Sequence, residues 1–281
     1  MLALTAELAL WVLAAALMHA GWNAILKSSK SKLLDTVVIV VGAGAIAALT
    51  LPFLPLPRPA SWPWLAASVA IHFLYYLALI GAYRYGDLSH TYPLMRGGAP
   101  LLVLILSPLV LAESLSVQSV SGILLVSAGI AVPALQALLS HSAGKATAFA
   151  AANAVIIASY TIVDGQGARL SGNAVSYSQW LFFLDAFALT AVAARRHGLA
   201  MFDYARLRLT PGLAGAALTL VSYGIVIWAM TQAPVAAVAA LRETSVIFAA
   251  VIGAMLLKEP FGAWRMAGAV TVVIGIAILN L

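Results

Sequence analysis

The amino-acid sequence predicts an all-α integral membrane protein, with ten transmembrane helices as two inverted five-helix repeats around a central cavity. Three observations lead there. Hydrophobic residues fill 63% of the 281 positions and charged residues 9%, against about 25% charged in a soluble domain. No core absorbs that much apolar surface, so most of it must face lipid. Second, the end of the first half reappears, ungapped, 146 positions later: Arg96 falls on Arg242, Leu111 on Leu257, Glu113 on Glu259, Gly122 on Gly268, Val126 on Val272, and Gly129-Ile130-Ala131 on Gly275-Ile276-Ala277. The chain reads as two fused copies of one unit, residues 1–140 and 141–281. Third, the basic residues are biased to alternate loops.

A spanning helix needs roughly 20 apolar residues. Polar and Pro/Gly-containing breaks give ten such segments, near 4–26, 34–54, 62–83, 89–111, 116–138, 146–164, 174–194, 210–230, 234–257 and 262–280. The longest polar stretch runs only from about Arg195 to Arg208. Odd-numbered loops carry Lys27, Lys30, Lys32, Arg84, Lys145, Arg195, Arg196, Arg206, Arg208, Lys258 and Arg265, eleven in all; even-numbered loops carry two, Arg58 and Arg169. The positive-inside rule then places odd loops in the cytoplasm and both termini outside. Five spans per half is an odd number, so the two copies are inserted upside down relative to each other. Two such inverted copies with a substrate site between them are the architecture of an alternating-access transporter. A cleavable signal peptide is not expected, because the first apolar stretch is long, lacks a basic leader and runs on into further spans.

Ionisable groups in a bilayer are costly, so each marks a candidate site. Segment 1 offers His19, Trp22 and Asn23. Segment 3 carries Ser68, His72, Tyr75, Tyr76 and Tyr83, with His72, Tyr75/Tyr76 and Tyr83 spaced to share one helical face. Tyr92 and Pro93 open segment 4, just before Arg96. Segment 5 and segment 10 each carry two glycines seven apart, a face smooth enough for close helix packing in general, or for pairing the two segments with each other or with a second copy. Segment 6 offers Asn153, Tyr160 and Asp164, with Asp164 near the span's end. Segment 7 holds Asp185 alone, a candidate carrier of a coupling proton. Segment 8 gives Thr219, Ser222, Tyr223 and Trp228. Segment 9 places Arg242 beside Glu243.

Aromatic faces and hydroxyls can stack flat apolar groups and bind a cationic amine. Arg96 and Arg242 form a charged symmetry pair. Each can clasp a substrate carboxylate in a bidentate fork, or neutralise Glu243 and Asp185, with which their charges sum to zero. Glu113 and Glu259 precede segments 5 and 10, where a carboxylate caps a helix N-terminus.

Zero cysteines exclude disulfides, thiol nucleophiles and Cys-based metal sites. Neither H-E-x-x-H nor G-x-x-x-x-G-K-[ST] occurs, and the five histidines (19, 72, 90, 141 and 197) are scattered. The chain is therefore expected to be no enzyme, to use no cofactor and to hold no metal. The net charge of +6 is read as contact with acidic lipid and not with nucleic acid. The expected partners are the bilayer and a small-molecule substrate, with no obligatory protein partner evident.

The segments Leu111-Ala-Glu113-Ser-Leu115 and Leu257-Lys-Glu259-Pro-Phe261, each followed by a glycine-bearing span, resemble the repeat endings of the EamA-type drug/metabolite transporter superfamily. The resemblance covers nearly the whole chain. The His72/Tyr75 face and Tyr92 are similar to that superfamily's aromatic amino-acid exporters. The resemblance implies a multi-pass protein of the bacterial inner membrane that exports aromatic and other neutral amino acids, with segments 1, 3, 4, 6, 8 and 9 around the cavity and 5 and 10 to one side. Export or exchange of other organic solutes, drugs and phosphorylated metabolites among them, stays open, as does an uncoupled facilitator or channel. Too few intramembrane cations are present to suit doubly charged phosphates.

Overall fold

The computed structural model describes residues 4–27, 29, 31–85, 88–140, 144–257 and 262–279. The helices in chain order are α1 (Ala6–Lys27), α2 (Lys32–Thr50), α3 (Trp62–Tyr85), α4 (Leu88–Leu111), α5 (Val117–Ser140), α6 (Lys145–Ser171), α7 (Ala174–His197), α8 (Ala200–Leu207), α9 (Leu209–Gln232), α10 (Val235–Arg242), α11 (Ser245–Leu257) and α12 (Ala263–Leu279). Short 3-10 turns follow α2 and precede α3. Among the described residues no strand occurs. Eight helical stretches are long and apolar enough to cross a membrane, one of them α10 running on into α11. In α5 and α12 the apolar stretches are shorter, Val117–Ala131 and Met266–Leu279.

Two elements differ from the expected segments. The sixth was expected to end at Asp164, before Gly165-Gln-Gly167. Instead α6 continues to Ser171. Those glycines make close approaches, with a Cβ on Gly165 falling 2.6 Å from a Val235 methyl and one on Gly167 meeting the Tyr177 ring. The helix stops at Gly172, whose φ of +77° is a left-handed cap that glycine adopts without strain. Asp164 thus lies in mid-helix and is fully buried, not interfacial.

The ninth segment was expected to be continuous, but it breaks at Glu243–Thr244. There the Thr244 hydroxyl donates to the Leu241 carbonyl at 2.7 Å, and the backbone N–H groups of Glu243 and Thr244 reach back to Ala240 and Leu241. This is the tighter 3-10 winding that commonly closes a helix. Every residue of α10 is buried, so this short helix has no lipid face. The polar stretch after α7 folds as α8, and Asp35 of α2 pins it: Asp35 accepts from Tyr204 at 2.9 Å and from Arg208 at 3.0 Å.

α10 sits in the largest apolar cluster, with Val12, Val103, Ile123, Val126, Ile162 and Val226 from surrounding helices. Around it α3 and α4 pack on α6, α1 packs on α9, α10 and α11, α2 on α7 and α9, and α3 on α7. α5 and α12 pack on each other. A Cβ on Gly129 would lie 2.6 Å from the Gly268 carbonyl and one on Gly275 2.9 Å from the Gly122 carbonyl, so the glycine faces meet within one chain.

Candidate functional site

Helices from both halves enclose one hollow, of cavity volume about 50 Å³. His19 and Trp22 reach it from α1, Thr36, Ile39 and Val40 from α2, and His72, Tyr75 and Tyr76 from α3. The second half supplies Tyr160 from α6, Leu181, Phe182 and Asp185 from α7, Thr219 and Tyr223 from α9, and Arg242 from the end of α10. A water needs roughly 10–15 Å³ of such space, so this conformation admits a few waters and no larger solute.

One wall is aromatic. His72 stacks on Tyr160, with centroids 4.4 Å apart and planes at 28°. Tyr75 and Tyr223 meet the same His72 ring edge-on at 6.4 and 5.8 Å. Tyr76 leans on Tyr75 at 5.3 Å, and Phe182 on Tyr223 at 6.2 Å. Spacings of three and four along α3 place His72, Tyr75 and Tyr76 on one face. His72 Nδ1 lies 3.0 Å from the Ser68 carbonyl. The Ser68 hydroxyl stands 3.1 Å from the same nitrogen, so Ser68 anchors the ring through Nδ1 and not through Nε2.

Behind that wall lies a charged cluster. Arg96 Nη1 donates to both Glu243 carboxylate oxygens at 3.2 Å. Arg242 donates to Glu243 Oε1 from Nη2 at 2.8 Å and from Nε at 3.2 Å, and reaches the Tyr160 hydroxyl at 3.4 Å. Arg96 Nη2 also meets His19 Nε2, while His19 Nδ1 faces the Trp22 indole N–H at 3.2 Å. Arg96 and Glu243 are buried and committed to one another, away from the cavity lining. Arg242 takes part in the cluster and also lines the cavity. Removing either charge from such a pair leaves the other uncompensated.

The two remaining interior acids differ sharply. Asp164 accepts from Tyr177 at 3.0 Å and from Tyr223 at 2.5 Å. Asp185 is 4% exposed, lines the cavity, and has no hydrogen bond or ion pair among the described residues.

Outside the spans, hydrogen bonding to Asp35 raises the pKa of Arg208, and burial raises that of the Tyr204 phenol. Glu113 does cap a helix N-terminus, but that of α10 and not of α5. Ala112 turns left-handed at φ +53°, an uncommon conformation for alanine. Glu113, two residues past α4, accepts from the Val235 N–H at 2.9 Å and from Arg169 at 2.5 Å. Its repeat partner Glu259 lies outside the described residues.

The structure thus brings Trp22, His72, Tyr75, Tyr76, Tyr160, Tyr223, Arg242 and Asp185 together at the cavity. Trp228 stands apart: five residues beyond Tyr223, it turns away from that face and lines a surface groove with Arg169, Thr231 and Gln232. The side chains of Tyr83, Tyr92 and Pro93 lie outside the described residues. Sequence reasoning missed Thr36, Ile39 and Val40, which look like any apolar span. It also missed Phe182, which shares a helical face with Asp185 three residues on, a spacing that marks the lining of α7.

The EamA-like transporter family profile matches residues 144–281. A solved structure titled only "Crystal structure of protein" is similar over the whole fold, with a TM-score of 0.75, 18% identity and 98% of each chain covered. No curated protein matches. Residues 144–281 carry α6 to α12, and with them the Glu243–Thr244 break and the helices α6, α7, α9 and α10 that help wall the cavity; the chain is a multi-pass membrane protein with an EamA-like transporter family domain over these residues.

Proposed function

We propose that this protein is a secondary transporter that exports small metabolites, aromatic and other neutral amino acids foremost, by alternating access between two inverted five-helix repeats. The observation that carries the reading is the cavity between the halves, with His72, Tyr75 and Tyr160 as an aromatic wall and Arg242 at its edge. Stacked rings suit a flat apolar side chain, and a guanidinium suits a carboxylate.

Helix packing supports the repeat. When each helix is numbered within its own half, α1 on α9 corresponds to α6 on α3, and α4 on α6 to α11 on α1. Likewise α2 on α9 corresponds to α7 on α3, while α2 on α7 and α5 on α12 map onto themselves. α5 and α12 complete the count of ten spans on this reading. The interruption at Glu243–Thr244 fits a site built at a discontinuous helix.

The test is counterflow. Purified protein in liposomes preloaded with unlabelled phenylalanine, methionine or threonine accumulates the same labelled amino acid from outside. No counterflow with any of the three removes the amino-acid assignment.

A further inference from the structure

We propose that Asp185 is the subsite for a protonated amino group, so that the cavity reads its substrate as a zwitterion, ammonium on Asp185 and carboxylate on Arg242. This rests on the transporter reading and names the chemistry its site selects.

The buried acids carry the inference by contrast. Asp35 is satisfied by Arg208 and Tyr204, Glu113 by Arg169 and the Val235 N–H, Glu243 by Arg96 and Arg242, and Asp164 by two tyrosine hydroxyls. Asp185 is as deeply buried as these, faces the same cavity as the aromatic wall, and has no donor among the described residues. A carboxylate removed from water without a partner is strongly disfavoured. Either a proton or a ligand that brings the missing donors relieves it, and the tyrosine rings beside it favour a cationic ligand.

Charge gives the sign of the group that Asp185 meets. Among the buried groups of the spans Arg96 and Arg242 face Glu243, Asp164 and Asp185, two formal positive charges against three negative, and the acid without a partner is Asp185. The end of the ligand beside it is therefore cationic. A primary ammonium brings one positive charge and three N–H donors, and the Tyr75 and Tyr76 rings on the same wall add cation–π attraction. A metal ion wants more ligands than this: among the described residues no three His, Cys, Asp or Glu side chains converge.

Arg242 supplies the other end. Its Nε and Nη2 are held by Glu243 and Tyr160, whereas Nη1 makes no hydrogen bond among the described residues. Two N–H groups thus remain for a carboxylate, on α10, while the acid sits on α7.

The experiment compares wild type with Asp185→Asn, which keeps shape and removes charge. In phenylalanine counterflow the variant raises KM at least tenfold, while inhibition by 3-phenylpropionate, which lacks the amine, stays unchanged. Binding is read separately as thermal stabilisation of the detergent-purified protein by phenethylamine, which wild type shows and the variant lacks. An unchanged KM, or equal stabilisation of both proteins, overturns the proposal. So does an unchanged KM for exchange with loss of only pH-driven accumulation, which makes Asp185 a proton carrier. If the variant does not fold, 3-phenylpropionate competing against wild-type counterflow as strongly as phenylalanine itself overturns it, because the amine then contributes nothing. Absent counterflow in wild type with Asp185-dependent amine binding would instead sink the transporter reading and leave the subsite standing.

Discussion

Glu243 and Asp185 are both buried carboxylates, and the structure gives them opposite fates on substitution. Glu243 holds two guanidiniums. Glu243→Gln leaves them facing each other in the interior, and breaking a buried pair in this way costs about 3–5 kcal/mol. The expected outcome is a clear drop in melting temperature of the purified protein. Asp185 neutralises nothing within reach, so Asp185→Asn removes an unfavourable buried charge and is expected to melt at or above the wild-type temperature. Equal destabilisation by the two would show that Asp185 has a partner after all. This distinction was only half visible in the sequence. Hydropathy marks every charge inside a span, but which acid meets which arginine depends on how six or more helices are arranged. Asp164 shows the same limit: a Gly-x-Gly after it reads as a helix end, and its burial follows only once Tyr177 and Val235 are known to press on those glycines.

At the scale of elements, periodicity and breaks located nearly every helix, because a bilayer imposes length and apolarity on each. The glycines seven apart marked a close-packing face without fixing its partner, generic packing or a second copy serving as well, and the structure closes the two faces on each other. Gly129→Leu drives a branched side chain against the Gly268 carbonyl. Overpacking of this kind costs about 1–3 kcal/mol or more, and the expected result is reduced folded yield with lower melting temperature. The same change at Gly224, where a Cβ finds ordinary contact at 3.6 Å, is expected to have little effect. The break in the ninth span was not legible. Nothing in Leu-Arg-Glu-Thr-Ser forbids a helix; the interruption coincides with the residue whose carboxylate meets Arg96 on a distant helix, a contact the sequence does not show.

For the whole molecule, the eleven-to-two distribution of loop charges makes a directional statement that packing alone leaves open. The chain has no cysteine, so single cysteines report topology cleanly. Leu56, 71% exposed before α3, and Leu207, 84% exposed at the end of α8, lie in an even and an odd loop. In intact cells Leu56→Cys is expected to react with a membrane-impermeant maleimide and Leu207→Cys only after permeabilisation. The reverse pattern would invert the assigned orientation. Substrate identity is the least legible property at this scale, since in the proposed cycle it depends on how far the small cavity would widen.

Glu113 has a consequence for pace. It belongs to the first half, yet it fastens the tip of α10 in the second, through the Val235 N–H, together with Arg169. In the proposed alternating-access cycle, rocking the halves apart at that end would release these charge-assisted bonds together, each worth about 1.5–3 kcal/mol. On that cycle the clasp would act as a brake: turnover would slow or quicken with its grip, and a weaker carboxylate partner there would speed the cycle while loosening its discipline.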